Sequence, residues 1–554
     1  MPQKAPSNYF YISGIAIMML GIPTSKFLMS IAQFVLLGTW LLYGIERTAG
    51  TKPSPGLRWP VVILKELFSL LSLQRSALIF LLIIGTHAVG LLWTKDLPSG
   101  IHDLRIKLPM LLLPIIFSTM PKLSRKEIQG LLWVYLLALF GASVEGTYIL
   151  FRRDIADIRE ISTHISHIRL ALNMVIGIFI SGFLFFSKTT TLKSWQRGVA
   201  LLTGLWLTLF LFIMKNPSGI ITLCLTAAAL FYKSFFKTEK RGLRILIPIV
   251  TTTLVLVVAL FFLNRTIQAY RSATKPNIAS LEQTTPYGGV YTHDTIQYPG
   301  IENGHYIGIY LCEEELIKAW KKRSKLDYHG RDHKGQQLKI TLIRYLNSKG
   351  LRKDGKGVES LSESDIRAIE GGVANYYYLS KLSLRGRIYQ LLFGLDQFKR
   401  NQNPNGNSIL QRREYWIAGW HLFRSHPLFG VGTGSAKRCF QNYYEETHST
   451  LLPTYRKRTH NQYLSIAIAF GMVGFLLFLF ALLYPPRMLR TQRLWLFTPI
   501  LLIVLLSFIT EDTLETQSGV TFSIFFYSFF LWATTQPKEK DSKNSTDEDK
   551  KHHH

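Results

Sequence analysis

Long apolar runs separated by polar stretches dominate the chain. The runs are continuous rather than alternating, which excludes an outer-membrane β-barrel. A membrane-spanning helix needs about 20 mostly apolar residues, and the Gly and Pro residues within several runs are tolerated in such helices. The pattern predicts an all-α polytopic membrane protein with about 12 transmembrane helices. The predicted spans are residues 8–22, 27–44, 77–94, 107–119, 130–151, 169–187, 198–214, 218–236, 245–263, 461–483, 494–510 and 517–535.

Two of these runs have unusual features. The fourth, LPMLLLPIIFS, is short and carries Pro109 and Pro114, so it is predicted to be kinked or only partly inserted. The first is followed at once by another apolar run, with nothing resembling a small-residue cleavage site between them. It is therefore predicted to be a span rather than a cleavable signal peptide.

Composition supports the membrane class. Of the 554 residues 48% are apolar and only 18% are charged, whereas soluble domains carry about 25% charged residues. The three cysteines give no disulfide framework, although Cys312 and Cys439 could pair if their segment faces an oxidising compartment.

The distribution of Lys and Arg in the loops predicts the orientation. These residues are more frequent in the loops that lie in the cytoplasm when the N-terminus is cytoplasmic. An even number of spans then makes both termini cytoplasmic. The predicted organisation is spans 1–9 in residues 1–263, a large, mainly helical periplasmic loop domain in 264–458, spans 10–12 in 459–536, and a disordered cytoplasmic tail with a tag remnant in 537–554.

The large loop is basic. The whole chain has 64 Lys and Arg against 35 Asp and Glu, a net charge of +29, and residues 264–458 hold 30 against 17, a net charge of +13. Long loops are exempt from the positive-inside rule, so this excess has another cause. The alternatives are an anionic partner, such as lipid head groups, a diphosphate or an acidic glycan, and a solvated basic surface without a ligand.

Local patterns predict helices inside the loop. Residues 313–324 begin with acidic and end with basic side chains, as a helix dipole favours. Residues 362–372 have helix start and stop signals, and 383–400 and 413–427 have helical apolar spacing, the latter repeating Trp416, Trp420 and Phe423. Residues 338–347 fit a helix or a strand.

The sequence has no motif for a metal, a nucleotide or a nucleic acid. It contains no HExxH, no paired CxxC, no P-loop and no Rossmann fingerprint, so neither a metal nor another cofactor is expected. The GVGTG stretch (430–434) lacks the strand and helix of a nucleotide loop. It is predicted to be a tight turn that bends the chain back toward the membrane.

A series of polar residues precedes the tenth predicted span. Arg412 and Arg413 are followed by HPLFGVGTG (426–434), and His460 and Asn461 stand where the span begins. Arginine binds phosphate oxygens in pairs, and a histidine can take up a proton near neutral pH. Together they could bind a diphosphate and activate an acceptor hydroxyl.

This region resembles the O-antigen ligase and O-antigen polymerase superfamily. The similarity rests on Arg412 four residues before Trp416, on the turn Pro-x-x-Gly-x-Gly at 427–432, on His460-Asn461, and on Gly471 with Gly474 in the following span. About 65 residues carry the close similarity, and the large loop before the histidine fits as well.

The resemblance implies a metal-independent glycosyltransferase of the bacterial inner membrane whose active site faces the periplasm. The implied donor is a glycan linked to undecaprenyl diphosphate, and the implied acceptor is lipid A–core. A polymerase that joins lipid-linked repeat units is the first alternative. A transporter of lipid-linked glycans, without bond formation, is the second.

The resemblance also assigns residues. Arg412 matches the phosphate-binding arginine and His460 the catalytic histidine, whereas Arg413 could take the role of its neighbour. Many members carry a second arginine before the eighth span, where this chain has KNPSG (215–219). Either Lys215 or Arg169 is therefore expected to supply the second cation. Asn461 is expected to orient the imidazole or the acceptor. Glu511 and Asp512 lie in a solvated loop, or else one of them orients His460 or binds the acceptor.

Overall fold

The fold is almost entirely helical. The computed structural model describes residues 5–49, 59–153, 155, 158–187, 190–235, 261–273, 277–298, 300–380, 383–401, 403–489 and 495–534. The helices before the large loop are α1 (Pro6–Thr24), α2 (Lys26–Thr48), α3 (Trp59–Ser72), α4 (Arg75–Val89), α5 (Leu97–Lys107), α6 (Pro109–Thr119), α7 (Arg125–Arg152), α8 (His167–Phe186), α9 (Ser194–Ile213) and α10 (Pro217–Phe235).

The remaining helices belong to the large loop and the C-terminal spans. Residues 261–271 are helical (α11). They are followed by α12 (Glu313–Arg323), α13 (Leu338–Ser348), α14 (Gly355–Glu359), α15 (Glu363–Glu370), α16 (Arg385–Asn401), α17 (Ser408–Ser425), α18 (Ala436–Glu446), α19 (Gln462–Met488), α20 (Phe497–Thr510) and α21 (Gln517–Ser528). Two strands of two residues, β1 (Ile301–Glu302) and β2 (His305–Tyr306), pair antiparallel.

Six helices in the described part of the chain are long and apolar enough to cross a membrane. They are α2, the continuous helical stretch Arg75–Trp93, α7, α8, α9 and α19, and α10 and α20 contain shorter apolar helices. Helices α1, α6 and α21 coincide with three further predicted spans. The predicted span 245–263 lies outside the described residues except for its last three. These helices support the predicted membrane class, and the count of 12 spans stays a prediction.

The fourth predicted span is a short helix enclosed by others. Helix α6 has 11 residues with Pro109 in its first turn and Pro114 inside, so it is about 16 Å long and too short to cross a membrane alone. Nine of its 11 side chains are buried. The run is thus a short helix inside the bundle, and the prediction that it is kinked or only partly inserted in the membrane stays a prediction.

Helix α21 lies at the centre of the helical bundle. Every residue from Ser518 to Ser528 is buried, and the π-helical turn Phe529–Ala533 that follows is buried as well. The helix begins where the Thr516 side chain accepts a hydrogen bond from the Gly519 N–H. Because α21 is fixed by packing on all sides, the loop before it, residues 511–516, has a fixed position.

The large loop has a core of its own. Trp320 of α12, with Leu342 and Tyr345 of α13, belongs to a buried apolar cluster that lies entirely within residues 298–369. The expected helices at 313–324, 362–372, 383–400 and 413–427 are confirmed, and 338–347 is a helix rather than a strand. The periplasmic location of the large loop stays a prediction.

The cysteines are not bonded to one another. Cys224, Cys312 and Cys439 are all free thiols, and Cys312 is buried. The possible pairing of Cys312 with Cys439 is therefore absent from the described structure.

Candidate functional site

Helix α17 brings Arg412 to the start of α19. The Asn407 side chain caps α17 by accepting hydrogen bonds from Ile409 and Leu410 N–H. One helical turn after Arg412, the Trp416 indole N–H donates to the Thr459 carbonyl at 3.0 Å. The spacing of four residues places Arg412 and Trp416 on one face, which contacts Thr459 through Trp416 and residues 510–511 through Arg412.

His460 lies in a constrained turn just before α19. Its φ of 47° is in the left-handed region, which is strained for a residue other than glycine. Asn461 is the N-cap of α19, and its side chain accepts a hydrogen bond from Leu464 N–H at 3.1 Å. His460 was expected where the span begins. It lies two residues before Gln462, the first residue of α19, because Asn461 takes the capping position.

Asp512 holds this turn in place. Its Oδ2 accepts a hydrogen bond from the His460 N–H at 3.0 Å, and its Oδ1 accepts one from the Asn461 N–H at 2.9 Å. The hydroxyls of Thr459 and Ser465 donate to Oδ1 at 2.9 and 2.8 Å. The carboxylate thus satisfies N–H groups at the helix start, where negative charge is favoured.

Glu511 lies between Arg412 and His460. Its Oε1 accepts a hydrogen bond from Arg412 Nη2 at 3.2 Å, and its Oε2 is 3.8 Å from His460 Nδ1. The side chains of Arg412, Glu511 and His460 are 25%, 26% and 31% exposed. The structure therefore brings the two residues expected to be catalytic to one partly open site with a carboxylate between them.

Two polar atoms of this site lack a hydrogen-bond partner. Arg412 Nε and His460 Nδ1 are both buried without one in the described structure. Buried polar groups are paired in the large majority of cases, so each exception needs an explanation. Here both exceptions belong to the residues that the motif assigns to substrate, which is the arrangement expected of a site that binds a polar ligand.

The loop of residues 511–516, which we call the acidic loop, is also held in place through Glu515. Its carboxylate accepts hydrogen bonds from Arg458 at 2.9 Å, from the fully buried Lys107 at 3.3 Å and from Gln462 at 3.2 Å. Burial alone raises the pKa of Glu515, but the charges of Lys107 and Arg458 outweigh it and lower this pKa to about 2. Glu515 is therefore ionised at neutral pH and fixes the loop to α5 and to the chain before His460.

The glycine-rich turn after α17 packs against α19, and α19 is interrupted at Gly471 beside it. Val431 and Gly432 N–H donate to the Ile468 and Ala469 carbonyls at 3.0 and 2.9 Å. Gly471 has φ 65° and ψ −166° inside the helix, and a Cβ on it would lie 2.1 Å from the Leu428 carbonyl oxygen. The expectation of a tight turn rather than a nucleotide loop fits this arrangement, in which glycines allow two backbones to touch.

The other sequence-predicted site residues are distributed unevenly. Arg413 points elsewhere: it pairs with Glu414 at 2.6 Å, and its guanidinium lies 5.6 Å from the Phe398 ring centre. Lys215 donates to the Ser380 carbonyl. Arg169 donates to the Ser518 hydroxyl and, at 3.0 Å, to the Thr516 hydroxyl.

Of the two alternative second cations, Arg169 is the one that contacts the chain next to Glu511. Its guanidinium contacts Thr516, the last residue of the acidic loop, and Ser518 at the start of α21. Its charge also interacts with that of Glu511. Lys215 makes its hydrogen bond to the large loop instead, and its burial lowers the pKa of its ammonium group.

Sequence reasoning left the role of the acidic loop open. The alternative in which a carboxylate orients His460 fits the contacts of Glu511 and Asp512, whereas Glu515 and Lys107 were not considered. The available signal was three acidic residues within EDTLE (511–515), between two apolar runs. Such a cluster is unusual at a span boundary unless its charges are paired.

Comparison with known families agrees with the resemblance. Residues 382–479 match the family model described as O-antigen ligase, which confirms the predicted similarity to that superfamily. No curated protein matches the chain. The matched residues include Arg412, the glycine-rich turn and His460, but the acidic loop lies beyond them.

Proposed function

We propose that this chain is an O-antigen ligase of the bacterial inner membrane, which transfers a glycan from undecaprenyl diphosphate to lipid A–core. The observation that carries the proposal is the cluster of Arg412, Glu511 and His460 at the start of α19. Two of these residues lie in the segment that matches the O-antigen ligase family. In this proposal the N-terminus is cytoplasmic and the site faces the periplasm.

Arg412 binds the donor diphosphate in this proposal. Its Nε has no partner among the described residues, while its Nη2 donates to Glu511 and to the Thr510 carbonyl. A guanidinium binds phosphate oxygens through two parallel N–H groups, and the free Nε–H is one such donor. Arg169 is the candidate for the second cation because it contacts the loop that carries Glu511.

His460 acts as the general base. The acceptor hydroxyl oxygen forms a bond to the anomeric carbon as the bond from that carbon to the diphosphate oxygen breaks. The hydroxyl proton passes to the imidazole, and undecaprenyl diphosphate leaves with the electron pair, its charge stabilised by Arg412. Because the bond to the diphosphate is already activated, the reaction is expected to need no nucleotide and no metal.

Glu511 couples donor binding to the base. In the described structure it pairs with Arg412 and lies 3.8 Å from His460 Nδ1. A diphosphate that takes over Arg412 leaves Glu511 able to accept a hydrogen bond from Nδ1–H. The tautomer with Nδ1–H has its lone pair on Nε2, where a base needs it.

A deletion strain complemented with variants tests the function. Loss of a ligase leaves bare lipid A–core and long glycan on undecaprenyl diphosphate, and loss of a polymerase leaves core that carries one repeat. Arg412→Ala is expected to reproduce the deletion. Arg413→Ala is the matched control, because the neighbouring arginine pairs outside the cluster.

Purified protein separates an enzyme from a transporter. Donor and acceptor mixed with the protein in detergent should give linked product if the chain is a transferase. A protein that only moves lipid-linked glycan across a bilayer gives no product, and that result would reject the proposal.

A further inference from the structure

One side of α17 and the loop after it is apolar and uncovered. The exposed fractions of Trp416, Ile417 and Trp420 are 40%, 43% and 53%, and those of Leu428 and Phe429 are 61% and 60%. We call these five residues the α17 stripe. The opposite side of the helix, with Ala418 and Phe423, is buried. Apart from the Trp416 indole N–H, which donates to the Thr459 carbonyl, and the Trp420 ring, which lies beside Phe423, the stripe is open in the described part of the chain.

The stripe runs beside the first half of α19. Gly419 of α17 is in close contact with Leu464 and Ile468, since a Cβ there would lie 2.8 and 3.3 Å from their side chains. Farther along, the Met472 N–H donates to the Pro427 carbonyl at 2.8 Å, and the Val473 N–H donates to the Leu428 carbonyl at 3.3 Å. Both segments therefore advance in the same direction from residue 459 onward.

This register sets how far the stripe reaches. From Asn461 to Phe470, before the break at Gly471, the helix advances about 14 Å at 1.5 Å per residue, and half of a bilayer hydrocarbon core is about 15 Å thick. Helix α19 is among the helices that can cross a membrane, and beside the stripe it exposes Met472, Val473 and Leu476. Leu428 and Phe429 thus continue an apolar surface of a membrane helix.

We infer that the α17 stripe is immersed in the acyl chains of one membrane leaflet, so that residues 408–434 enter and leave the membrane on the same side. The partner of this surface is lipid. This inference rests on α19 crossing the membrane and does not depend on the proposed transferase activity. It changes the predicted organisation, because part of the segment 264–458 then lies within the bilayer rather than beside it.

Part of the backbone of the segment is paired, as that location requires. Irregular backbone at membrane depth is tolerated only where its polar groups are paired or enclosed by protein. Helix α17 satisfies its own groups, and the returning turn donates from Val431, Gly432 and Thr433 to carbonyls of α19 and of Gly90. Trp416 and Trp420 lie toward the outer end of the stripe, as tryptophans do at membrane interfaces.

Four exposed polar residues lie near the stripe, namely His421, Arg424, Ser425 and His426, and the charged one is compatible with immersion. Arg424 lies over the Trp420 ring, 5.7 Å from its centre, and a long arginine side chain can reach the head groups from there. The competing interpretation is that the two tryptophans stack on the glycan. Leu428 and Phe429 favour immersion in lipid, because they offer no polar group to a sugar and lie beside the exposed apolar side of α19.

Spin labels in proteoliposomes test the inference. Leu428→Cys and Phe429→Cys are made in a background of Cys224→Ser and Cys439→Ser, since the remaining Cys312 is buried. Collisions of each nitroxide with oxygen, which concentrates in acyl chains, are compared with collisions with a water-soluble nickel chelate. Leu476→Cys on α19 is the lipid-exposed control, and Val290→Cys, an exposed apolar position in the large loop, is the control for water.

The labels at 428 and 429 are expected to behave like the label at 476. Their ratio of oxygen to nickel collisions should be severalfold higher than that at 290. If both ratios equal that at 290, the stripe is in water and the inference is wrong, which would favour the glycan-stacking interpretation. Enzymatic activity does not enter the measurement, so failure of the transferase proposal would leave this result unaffected.

Discussion

Replacing Asp512 with Ala tests whether the acidic loop positions His460. The carboxylate accepts two backbone hydrogen bonds, from His460 and Asn461, and two from hydroxyls. A hydrogen bond to a charged group contributes ~1.5–3 kcal/mol, so the two backbone bonds together hold the turn by about 3–6 kcal/mol. The left-handed conformation of His460 costs ~1–2 kcal/mol.

The balance of these energies changes sign in Asp512→Ala. Without the carboxylate nothing offsets the strain at His460, and the turn is expected to relax. A displacement of about 1 Å at a reacting group can cost on the order of 100-fold in rate. We therefore expect kcat to fall about 100-fold, with the KM for the donor nearly unchanged because Arg412 remains.

The assay uses purified protein in proteoliposomes with lipid-linked glycan and lipid A–core. Asp512→Asn keeps one oxygen for the backbone N–H groups but loses the charge, so its kcat should lie between those of the wild type and Asp512→Ala. Glu446→Ala, which removes an exposed carboxylate on α18, is the matched control and should match the wild type. A folded Asp512→Ala protein with kcat within threefold of the wild type would refute the reasoning.

Further substitutions test the remaining assignments. Arg412→Lys should lose most activity because an ammonium group cannot make the paired contact, while Arg413→Ala should stay near the wild type in the same assay. His460→Gln should lower turnover by roughly 10²–10⁴; near wild-type turnover would mean that the imidazole only positions the acceptor. Gly471→Ala should lower the yield of folded protein in size-exclusion chromatography, because its Cβ would lie 2.1 Å from a carbonyl oxygen, whereas Gly85→Ala, with open space around it, should not. Turnover in EDTA should equal turnover in buffer, and activity restored by magnesium or manganese would indicate a metal site.

Local signals in the sequence were sufficient for most helices. The acidic start and basic end of α12 and the serine before α15 are signals that act over a few residues, and both helices form where these signals stand. Asn461 directly before an apolar run is a signal of the same kind, although it was assigned to the site rather than to the cap, and α19 begins after it. Such elements are predictable because their cause lies within about one helical turn.

The contacts between distant segments were not predictable in the same way. Glu511 is 99 residues from Arg412 along the chain, and Lys107 is 408 residues from Glu515. The periodicity of apolar residues along the sequence does not predict which helix a loop contacts. The break at Gly471 was missed for a related reason, since glycine is common in membrane helices and only the approach of Leu428 shows why this one is needed.

Charge balance explains why the site contains carboxylates although its proposed donor is an anion. A partly buried arginine without a counter-ion would be costly, and Glu511 is the counter-ion of Arg412 in the structure. Asp512 accepts its hydrogen bonds from backbone N–H groups and hydroxyls rather than from a cation. Glu515 pairs with Lys107 and Arg458. Glu511 is thus the carboxylate that a diphosphate would displace, so donor affinity would be the difference between two ion pairs rather than the energy of one. Since the same carboxylate lies beside His460, that exchange would be felt at the base as well as at the phosphate.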